Sequence, residues 1–484
     1  MNKNIPLLQF NPTMGAHVLI FPLPLQGPIN CMLKLAELLC LHQIKVTFII
    51  TQHIHRRLLH SSHAQPHSTK YGDSFRFNPI PDGLPHDHPR TVFEFSELMT
   101  SLGAAAPPIL HQMLISTDDH SPTCVVADGL LTFATDIAAQ ARVPLLYFDT
   151  ISPSAIWTYM CLPKLIQAGD LPFKDDNQDE YIRNAPELEG IMRHRDLPSF
   201  CRGAIDFTDP QVDLVLKQVH HMPLSQGLIF NTFQRLDAPV LAQIRNLCPN
   251  IYAIGPLHAL LLKNRTSCYI NSTSIYQEDR SCISWLDNQP ARSVLYVSIG
   301  SLCVMTKENF FEVLHGTVNS GSRFLWVRRP GSVAGLDPVE IPNELSRATE
   351  ERGCTVSWAP QQEVLAHPAV GGFLTHSGWN STLESLVAGI PMICWPHYVD
   401  QQVNSRFVGE VWKVGLDMKD SCDRVVVEKM VREVMEVRKD EFLERAKEMS
   451  EAAEASVGEG GSSAADLDRL IDDIKNMKLS TEHK

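Results

Sequence analysis

The chain has 484 residues, of which 44% are hydrophobic and 20% are charged, a composition typical of a globular protein. Its length exceeds what a single hydrophobic core supports, so we expect two domains. The 42 basic and 55 acidic residues give a net charge of −13. This acidic balance argues against nucleic acid or an anionic membrane surface as a partner.

The 12 cysteines are scattered along the chain, and no Cys-x-x-Cys pair occurs. This distribution favours reduced thiols over a disulfide framework or a zinc site. The first residues lack the sustained apolar core of a signal peptide, and the apolar run HVLIFPLPL is too short and too rich in proline to span a bilayer. We therefore expect a cytoplasmic protein without stable membrane insertion, and we expect a monomer.

Apolar strand-like runs alternate with helical stretches along the whole chain. In the first half HVLIFPLPL precedes the helical INCMLKLAELLCLH and then KVTFIITQ, and CVVADGLL precedes the helical TFATDIAAQARV and then PLLYFDT. In the second half the short strands are VLYVSIGS, RFLWVRRP, GCTVSWAP, GGFLTHS and PMICWP. This alternation predicts parallel α/β sheets.

Two segments without regular periodicity divide the chain. Residues 257–281 become polar in their second part and predict the connection between an N-terminal domain, 1–256, and a C-terminal domain, 282–457. The Gly/Ser-rich stretch SVGEGGSS precedes a last helix in residues 458–484.

The segment from Trp358 to Gln401 is the most informative part of the chain. Within it, GGFLTHS predicts a short apolar strand that ends in a turn, and Ser381 is expected to open the helix that follows. Gly389 and Pro391 predict the end of that helix. A strand–turn–helix unit directs backbone N–H groups and the positive end of the helix dipole out of the turn, which predicts an anion site.

Side chains around this turn add to the anion site. Gly378 permits a close approach of the backbone, while His376, Asn380 and Ser381 supply possible hydrogen-bond donors. In an open parallel sheet, ligands bind in the crevice at the carboxyl ends of the strands, where these residues are predicted to lie.

Each of these residues also has a purely structural interpretation. Ser381 and Glu384 match a capping box, which satisfies free N–H groups at the start of any helix. Trp358 taken alone indicates a core aromatic, and His376 alone a buried histidine with satisfied hydrogen bonds. A single ligand explains all of these positions together, and no packing rule does.

The Trp358–Gln401 segment closely resembles the signature segment of the plant UDP-dependent glycosyltransferases. The stretches LPLQG, PDGLP (81–85), DLPSF (196–200) and NTF (231–233) also have counterparts in that family, so the resemblance covers nearly the whole chain. It implies two facing Rossmann-like domains of the GT-B type, with the active site in the cleft between them and a C-terminal helix that crosses back to the first domain.

The resemblance also assigns the donor site residue by residue. In this family's pattern Trp358 stacks on the uracil of UDP, Ala359 and Gln361 contact the base or the ribose, and Glu384 accepts hydrogen bonds from the ribose hydroxyls. Residues that surround the diphosphate are Gly300, Ser301, His376, Gly378, Trp379, Asn380 and Ser381. The sugar hydroxyls are bound by Asp400 and Gln401, and a glutamine at the second position is similar to the glucose-preferring members.

One position departs from the family's pattern. Relatives carry a histidine after Gln-Gly at the start of the first helix, where it takes the proton of the acceptor hydroxyl, and this chain has Pro28. Proline is structurally well placed in the first helical turn, because its missing N–H has no partner there. The histidine's partner in relatives corresponds to Asp128, which is retained.

Three explanations for Pro28 stay open at the level of sequence. In the first explanation the acceptor needs no base. A carboxylic acid titrates near pH ~4 and is already ionised, and a hemiacetal loses its proton more easily than an alcohol. Alternatively Asp128 acts directly or through a water, helped by a pKa raised in a desolvated cleft. In the third explanation, the chain binds UDP-glucose without turning it over.

The resemblance therefore predicts inverting transfer of glucose from UDP-glucose to a small lipophilic plant metabolite, with no cofactor and no metal. The stretches LQGPINCMLKLAELL and VNSGSRFLWVRRP are similar to the branch that glucosylates iridoids and related monoterpenoids. The acceptor pocket is expected in N-terminal-domain loops, including the segment 157–165. A non-catalytic UDP-sugar-binding protein is the alternative, based on Pro28 alone. A nicotinamide-dependent oxidoreductase is disfavoured, because no Gly-x-Gly-x-x-Gly follows the first strand.

Overall fold

The computed structural model describes residues 15–61, 71–116, 121–172, 178–201, 209–264, 274–335 and 341–482. Within them the chain forms two parallel sheets, of seven and six strands, each enclosed by helices. Burial of both faces of a sheet explains why most of the strands are continuous apolar runs. The expected two-domain α/β architecture is confirmed.

The first sheet has the strand order β3-β2-β1-β4-β5-β6-β7. Its strands are β1 His17–Phe21, β2 Lys45–Thr51, β3 Phe75–Ile80, β4 Cys124–Asp128, β5 Leu145–Asp149, β6 Gly227–Phe230 and β7 Ile251–Ala253. The helices of this half are α1 Gln26–Leu41, α2 Gln52–Ser61, α3 Phe95–Ile115, α4 Phe133–Ala141, α5 Pro153–Ala168, α6 Pro210–His221, α7 Gln234–Leu247 and α8 Leu257–Asn264.

The second sheet has the strand order β10-β9-β8-β11-β12-β13. Its strands are β8 Val294–Ser298, β9 Arg323–Val327, β10 Gly353–Val356, β11 Val370–Thr375, β12 Met392–Cys394 and β13 Gly415–Asp417. The helices are α9 Ser281–Leu286, α10 Lys307–Asn319, α11 Asn343–Arg352, α12 Gln361–Ala366, α13 Trp379–Ala388, α14 Gln401–Arg406, α15 Arg424–Arg432, α16 Lys439–Val457 and α17 Ser462–Glu482.

The final helix, α17, packs on the N-terminal sheet although it follows the C-terminal domain in sequence. Leu470 and Ile474 are buried in the core of the first domain. The Tyr252 hydroxyl of β7 donates a hydrogen bond to Asp473 at 2.7 Å, and the Ala253 N–H donates to Asp466 at 2.9 Å. The chain therefore closes the N-terminal domain with its own last helix.

The segment predicted as the interdomain connection is partly helical. Its first residues form α8, which packs against α1 and buries Leu257 and Leu261. These residues therefore belong to the N-terminal domain. Residues 265–273 lie outside the described part of the chain.

One described helix, α3, is long and apolar enough by length and composition to cross a membrane. It packs against α4, and it buries Leu98, Leu102 and Leu110 along one side while most of its other residues are partly exposed. Burial at intervals of four residues is the pattern of a helix that lies on a protein core.

A buried ion cluster joins the two domains. The carboxylate of Asp196, in the DLPSF stretch, is fully buried and lies 2.9 Å from Lys419 Nζ, 2.9 Å from Arg193 Nε and 3.3 Å from Arg406 Nε. Burial alone would raise the pKa of Asp196, but Lys419 and Arg193 outweigh it and hold that pKa below its usual value. The carboxylate is therefore charged and bridges the N-terminal domain to two cations of the C-terminal domain.

Candidate active site

A cavity of about 390 Å³ lies in the cleft between the two sheets. Every residue predicted for the donor lines it, from Gly300 and Ser301 to Asp400 and Gln401, and so do Pro28 and Asp128. The structure thus brings together residues that are separated by several hundred positions in the sequence. Their binding of a UDP-sugar stays a prediction.

The predicted anion turn follows β11. His376 comes directly after this strand, Ser377 has a left-handed backbone with φ of 62°, and Gly378 is the N-cap residue of α13. A Cβ atom at Gly378 would lie 2.5 Å from His376 Nε2, and one at Gly300 would lie 2.4 Å from the same atom. A side chain at either position would therefore displace the imidazole, and glycine avoids this contact.

The His376 side chain is neutral at physiological pH. Burial, with a smaller contribution from His397, lowers the pKa of His376 to about 3. Its Nδ1 atom is buried and has no hydrogen-bond partner in the described structure. A neutral imidazole contributes one N–H donor rather than a positive charge, so the positive potential of this turn comes from the first turn of α13.

The first residues of α13 also hold the cleft together. The Trp379 indole N–H donates to the Asn231 carbonyl at 2.9 Å, and the Asn380 side-chain amide donates to the Gly27 carbonyl at 2.9 Å. The Trp379 indole N–H is thus bound to the N-terminal domain, and the prediction that Trp379 lies beside the diphosphate stays a prediction. In this structure Trp379 and Asn380 offer the cavity their backbone N–H groups at the helix start.

The capping-box interpretation of Ser381 and Glu384 is wrong. The helix begins at Trp379, two residues before Ser381, and its N-cap residue makes no side-chain capping bond. Gln361 instead donates to Ser381 Oγ at 2.9 Å and to Glu384 Oε2 at 2.7 Å, and Gln362 donates to Glu384 Oε1 at 2.8 Å. Two amide donors thus orient the carboxylate that is predicted to bind ribose. Gly389 ends the helix with a left-handed backbone, as predicted.

Asp400 and Gln401 lie at the start of α14, where sugar hydroxyls were predicted to bind. Burial raises the pKa of Asp400 to about 7, against an opposing hydrogen bond from Asn404. The Gln401 side-chain oxygen accepts the N–H groups of His397 and Tyr398 at 2.9 and 3.0 Å. The Gln401 oxygen therefore fixes the loop before α14.

The N-terminal side of the cavity contains a group of apolar side chains, here called the apolar arm. Its lining side chains include Leu25, Phe95, Leu130, Tyr159, Phe200 and Leu214. The segment 157–165, expected to be a loop of the acceptor pocket, is part of helix α5, and of that segment only Tyr159 lines the described cavity. The Trp157 indole instead donates to the Pro186 carbonyl at 2.6 Å. An apolar arm of this kind suits a small lipophilic molecule.

Asp128 is a buried carboxyl group that lines the N-terminal side of the cavity. Its Oδ1 accepts the Leu130 N–H at 3.1 Å and its Oδ2 accepts the Thr150 hydroxyl at 3.0 Å. Burial nevertheless raises the pKa of Asp128 to about 6. Pro28, predicted to occupy the position of the family's histidine, lines the same cavity, and it has no group that can accept a proton.

Sequence reasoning did not single out several residues that line the cavity. Thr150, Gln218 and Gln362 are polar, and each holds a carboxylate: Thr150 binds Asp128, Gln218 binds Asp149, and Gln362 binds Glu384. Gln362 lies within the signature segment Trp358–Gln401 but was given no role there, and Thr150 follows β5 at its carboxyl end, where ligand-binding residues of parallel sheets are expected. Among the residues that the structure describes, no three His, Cys, Asp or Glu side chains are grouped so as to hold a metal ion.

Residues 240–448 match the family model described as UDP-glucoronosyl and UDP-glucosyl transferase. The chain is 48% identical to a 7-deoxyloganetic acid glucosyltransferase of Catharanthus roseus, over 96% of this chain and 98% of that protein. The chain belongs to the UDP-glycosyltransferase family. It is also 44% identical to a myricetin 3-O-rhamnoside 1,2-glucosyltransferase of Crocosmia x crocosmiiflora, over 96% of each chain.

A solved structure supports the arrangement of the two domains in this glycosyltransferase. The crystal structure of Os79 from O. sativa in complex with UDP is 28% identical, with a TM-score of 0.81, and the match covers 94% of this chain and all of that one. The GT-B arrangement predicted from the sequence is therefore confirmed, and the chain is a UDP-sugar-dependent glycosyltransferase.

Proposed function

We propose that this glycosyltransferase transfers glucose from UDP-glucose to an iridoid or related small terpenoid that carries a hemiacetal hydroxyl or a carboxylic acid. The observation that carries the proposal is the single cavity in which the predicted donor residues face an apolar N-terminal arm. The 48% identity to a 7-deoxyloganetic acid glucosyltransferase supports the iridoid class.

In the proposed reaction the acceptor oxygen attacks the anomeric carbon of glucose, and the bond from that carbon to the UDP oxygen breaks. In-line attack inverts the anomeric configuration. The positive end of α13 and the N–H groups at Gly378 and Trp379 are placed to stabilise the charge that develops on UDP. Asp400 lines the same cavity and is the proposed partner of the sugar hydroxyls.

Asp128 is the proposed acceptor of the proton in place of the family's histidine. Its carboxyl group lines the cavity, and a pKa of about 6 makes it ionised but basic near neutral pH. An acceptor whose hydroxyl is acidic, such as a hemiacetal, demands little of this base. A carboxylic acid acceptor is already ionised and demands none, so Pro28 does not by itself argue against catalysis.

We further propose that the enzyme acts in the cytoplasm as a monomer, without stable membrane insertion, metal or other cofactor. The scattered cysteines and the acidic net charge of −13 support this location. The helix terminus at α13 supports metal independence, because it supplies the electrostatic stabilisation that Mg²⁺ gives elsewhere. A rate unchanged by a chelator would agree, and a lost rate restored by Mg²⁺ would contradict it.

The test is incubation of the purified protein with UDP-glucose and a panel of phenols, terpenoid alcohols, iridoid hemiacetals and carboxylic acids, with sugar adducts detected by mass spectrometry. We expect products mainly from the hemiacetal and acidic terpenoids. Product from simple phenols alone would refute the acceptor class. Binding of UDP without product from any acceptor would instead favour a donor-binding protein that has lost turnover.

A further inference from the structure

Tyr276, in the connection between the domains, lies flat against the indole predicted to hold the uracil. The ring centroids of Tyr276 and Trp358 are 4.3 Å apart, and the ring planes differ by 25°. Trp358 also packs against the apolar core of its own domain. The base of a bound nucleotide needs one face of this indole, so the position of Tyr276 bears directly on donor binding.

The strand order shows where the tyrosine lies. Trp358 follows β10 and Ser301 follows β8, and β9 lies between these strands. Because neighbouring strands are ~4.8 Å apart, the two residues flank a gap of ~10 Å above the end of β9. Tyr276 spans this gap, with its ring on Trp358 and its hydroxyl donating to the Ser301 carbonyl at 3.3 Å. A base stacked on Trp358 with its diphosphate near Ser301 needs the same gap.

The N-terminal domain holds the tyrosine in this place. The Arg57 guanidinium of α2 lies 4.6 Å from the centre of the Tyr276 ring. The two preceding residues are tied to the same domain, because the Ser274 carbonyl accepts the Ser61 hydroxyl at 2.7 Å and the Ile275 N–H donates to Gln26 at 2.8 Å. The ring is thus part of a stack from Arg57 through Tyr276 to Trp358 that joins both domains.

We propose that Tyr276 occupies the place of the nucleobase in the free enzyme and leaves it when the UDP-sugar binds. The proposal rests on the donor site described under the proposed function. Tyr276 is then a residue that sets donor affinity, since each binding event exchanges one aromatic stack on Trp358 for another. Displacement of the ring also breaks its contact with Arg57, so base binding changes the contacts of α2.

The test measures dissociation constants of UDP and of inorganic pyrophosphate by calorimetry for the wild type, Tyr276→Ala, Tyr276→Phe and Arg57→Gln. Tyr276→Ala is expected to bind UDP about three- to tenfold more tightly, the scale on which one aromatic pair acts. Arg57→Gln should act in the same direction with a smaller effect. Tyr276→Phe keeps the stack and should stay close to the wild type. Pyrophosphate has no base, so its affinity should be equal in all four proteins.

Weaker UDP binding by Tyr276→Ala would overturn the proposal, because it would show that the tyrosine clamps the base. Unchanged UDP binding in Tyr276→Ala and Arg57→Gln would also overturn it. Thermal unfolding of each variant, and retained pyrophosphate binding, exclude a folding defect as the cause. Failure of the proposed function looks different: the wild type and Tyr276→Ala would both bind no UDP, and neither would transfer glucose.

Discussion

Pro28 and Asp128 face the same cavity, and the chemistry of the acceptor side depends on the contrast between them. Proline is stable in the first turn of α1 and cannot take a proton, whereas the Asp128 carboxyl has a raised pKa of about 6. Thr150 and the Leu130 N–H keep this carboxyl oriented. If Pro28 stands where relatives carry the base, as the sequence predicts, Asp128 is the group on this side of the cavity that we propose as the proton acceptor.

Asp128→Asn is expected to lower kcat on a terpenoid alcohol by ~10²-fold or more, the lower range of general-base contributions. The wild-type rate should fall as the pH decreases through about 6, because the protonated Asp128 carboxyl cannot accept a proton. The variant should lose this dependence and keep its affinity for UDP. Steady-state kinetics between pH 5 and 8 test this, and unchanged turnover in Asp128→Asn would remove Asp128 as the base.

The same pKa shift has a consequence for folding. Because burial raises the pKa of Asp128 above its value in the unfolded chain, the folded state binds an extra proton between about pH 4 and pH 6. The contribution of Asp128 to stability is thus largest at low pH and is lost as the pH rises through about 6.

Pro28→His is the matched control for the catalytic role of Asp128. It should raise activity on simple phenols more than on hemiacetals.

Glu384 provides a prediction on the donor side. Gln361 and Gln362 orient its carboxylate, which is predicted to accept hydrogen bonds from ribose. Glu384→Ala should remove most of the preference for UDP over 2′-deoxy-UDP, because the 2′-hydroxyl loses its acceptor. Binding of both nucleotides by both proteins forms a double-mutant cycle. An equal preference in the wild type and the variant would place Glu384 away from the ribose.

At the scale of elements, the turn between β11 and α13 determines the geometry of the predicted anion site. His376, pressed between Gly300 and Gly378, fixes the two strand ends relative to each other. The first turn of α13 donates side-chain hydrogen bonds across the cleft, so its N–H groups have a defined position. An anion site of this type depends on packing around the turn as much as on the polar groups themselves.

Gly378→Ala tests the role of this packing. The new Cβ would lie 2.5 Å from His376 Nε2, so the imidazole must move. We expect a loss of ~1–3 kcal/mol in the free energy of unfolding and a raised KM for UDP-glucose. Gly103→Ala, in α3, is the control, because nothing lies within 4 Å of its Cβ, and it should stabilise the protein by ~0.5–1 kcal/mol. Wild-type stability and KM in Gly378→Ala would contradict the described geometry.

Most of the buried strands could be predicted from the sequence. Short continuous apolar runs such as β1, β8 and β11 are typical of strands in a sheet that is covered on both faces. The strands β3, β6, β7 and β13 were not expected. β6, β7 and β13 have only four, three and three residues, and β3 contains a proline. Runs of that length carry no distinguishable periodicity.

The candidate site was predictable on the donor side and hardly on the acceptor side. Most of the predicted donor residues lie in the single segment Trp358–Gln401, whereas the contacts of Trp379 and Asn380 reach partners 148 and 353 positions away. Such pairs follow from how the domains meet, which no local pattern encodes. The structural role of Ser381 and Glu384 was predicted wrongly for a different reason: their partners Gln361 and Gln362 lie on a neighbouring helix of the same domain, which a local capping pattern does not reveal.

At the scale of the whole molecule, the ion cluster around Asp196 sets how the domains face each other. Asp196→Ala should reduce the free energy of unfolding by about 3 kcal/mol or more, because Arg406 and Lys419 would keep their buried positions without this carboxylate. Thermal or denaturant unfolding measures the effect. Asp213→Ala breaks an exposed pair with Lys217 and should change stability by less than ~0.5 kcal/mol. Equal effects of the two substitutions would show that the cluster contributes nothing.

The return of α17 to the N-terminal sheet has a consequence for recombination between related genes. Leu470 and Ile474 complete a core most of whose members come from the N-terminal domain. A single crossover in the connection between the domains therefore pairs one parent's N-terminal core with the other parent's last helix. Hybrid proteins that exchange acceptor preference should be soluble more often when residues 458–482 come from the same parent as the N-terminal half.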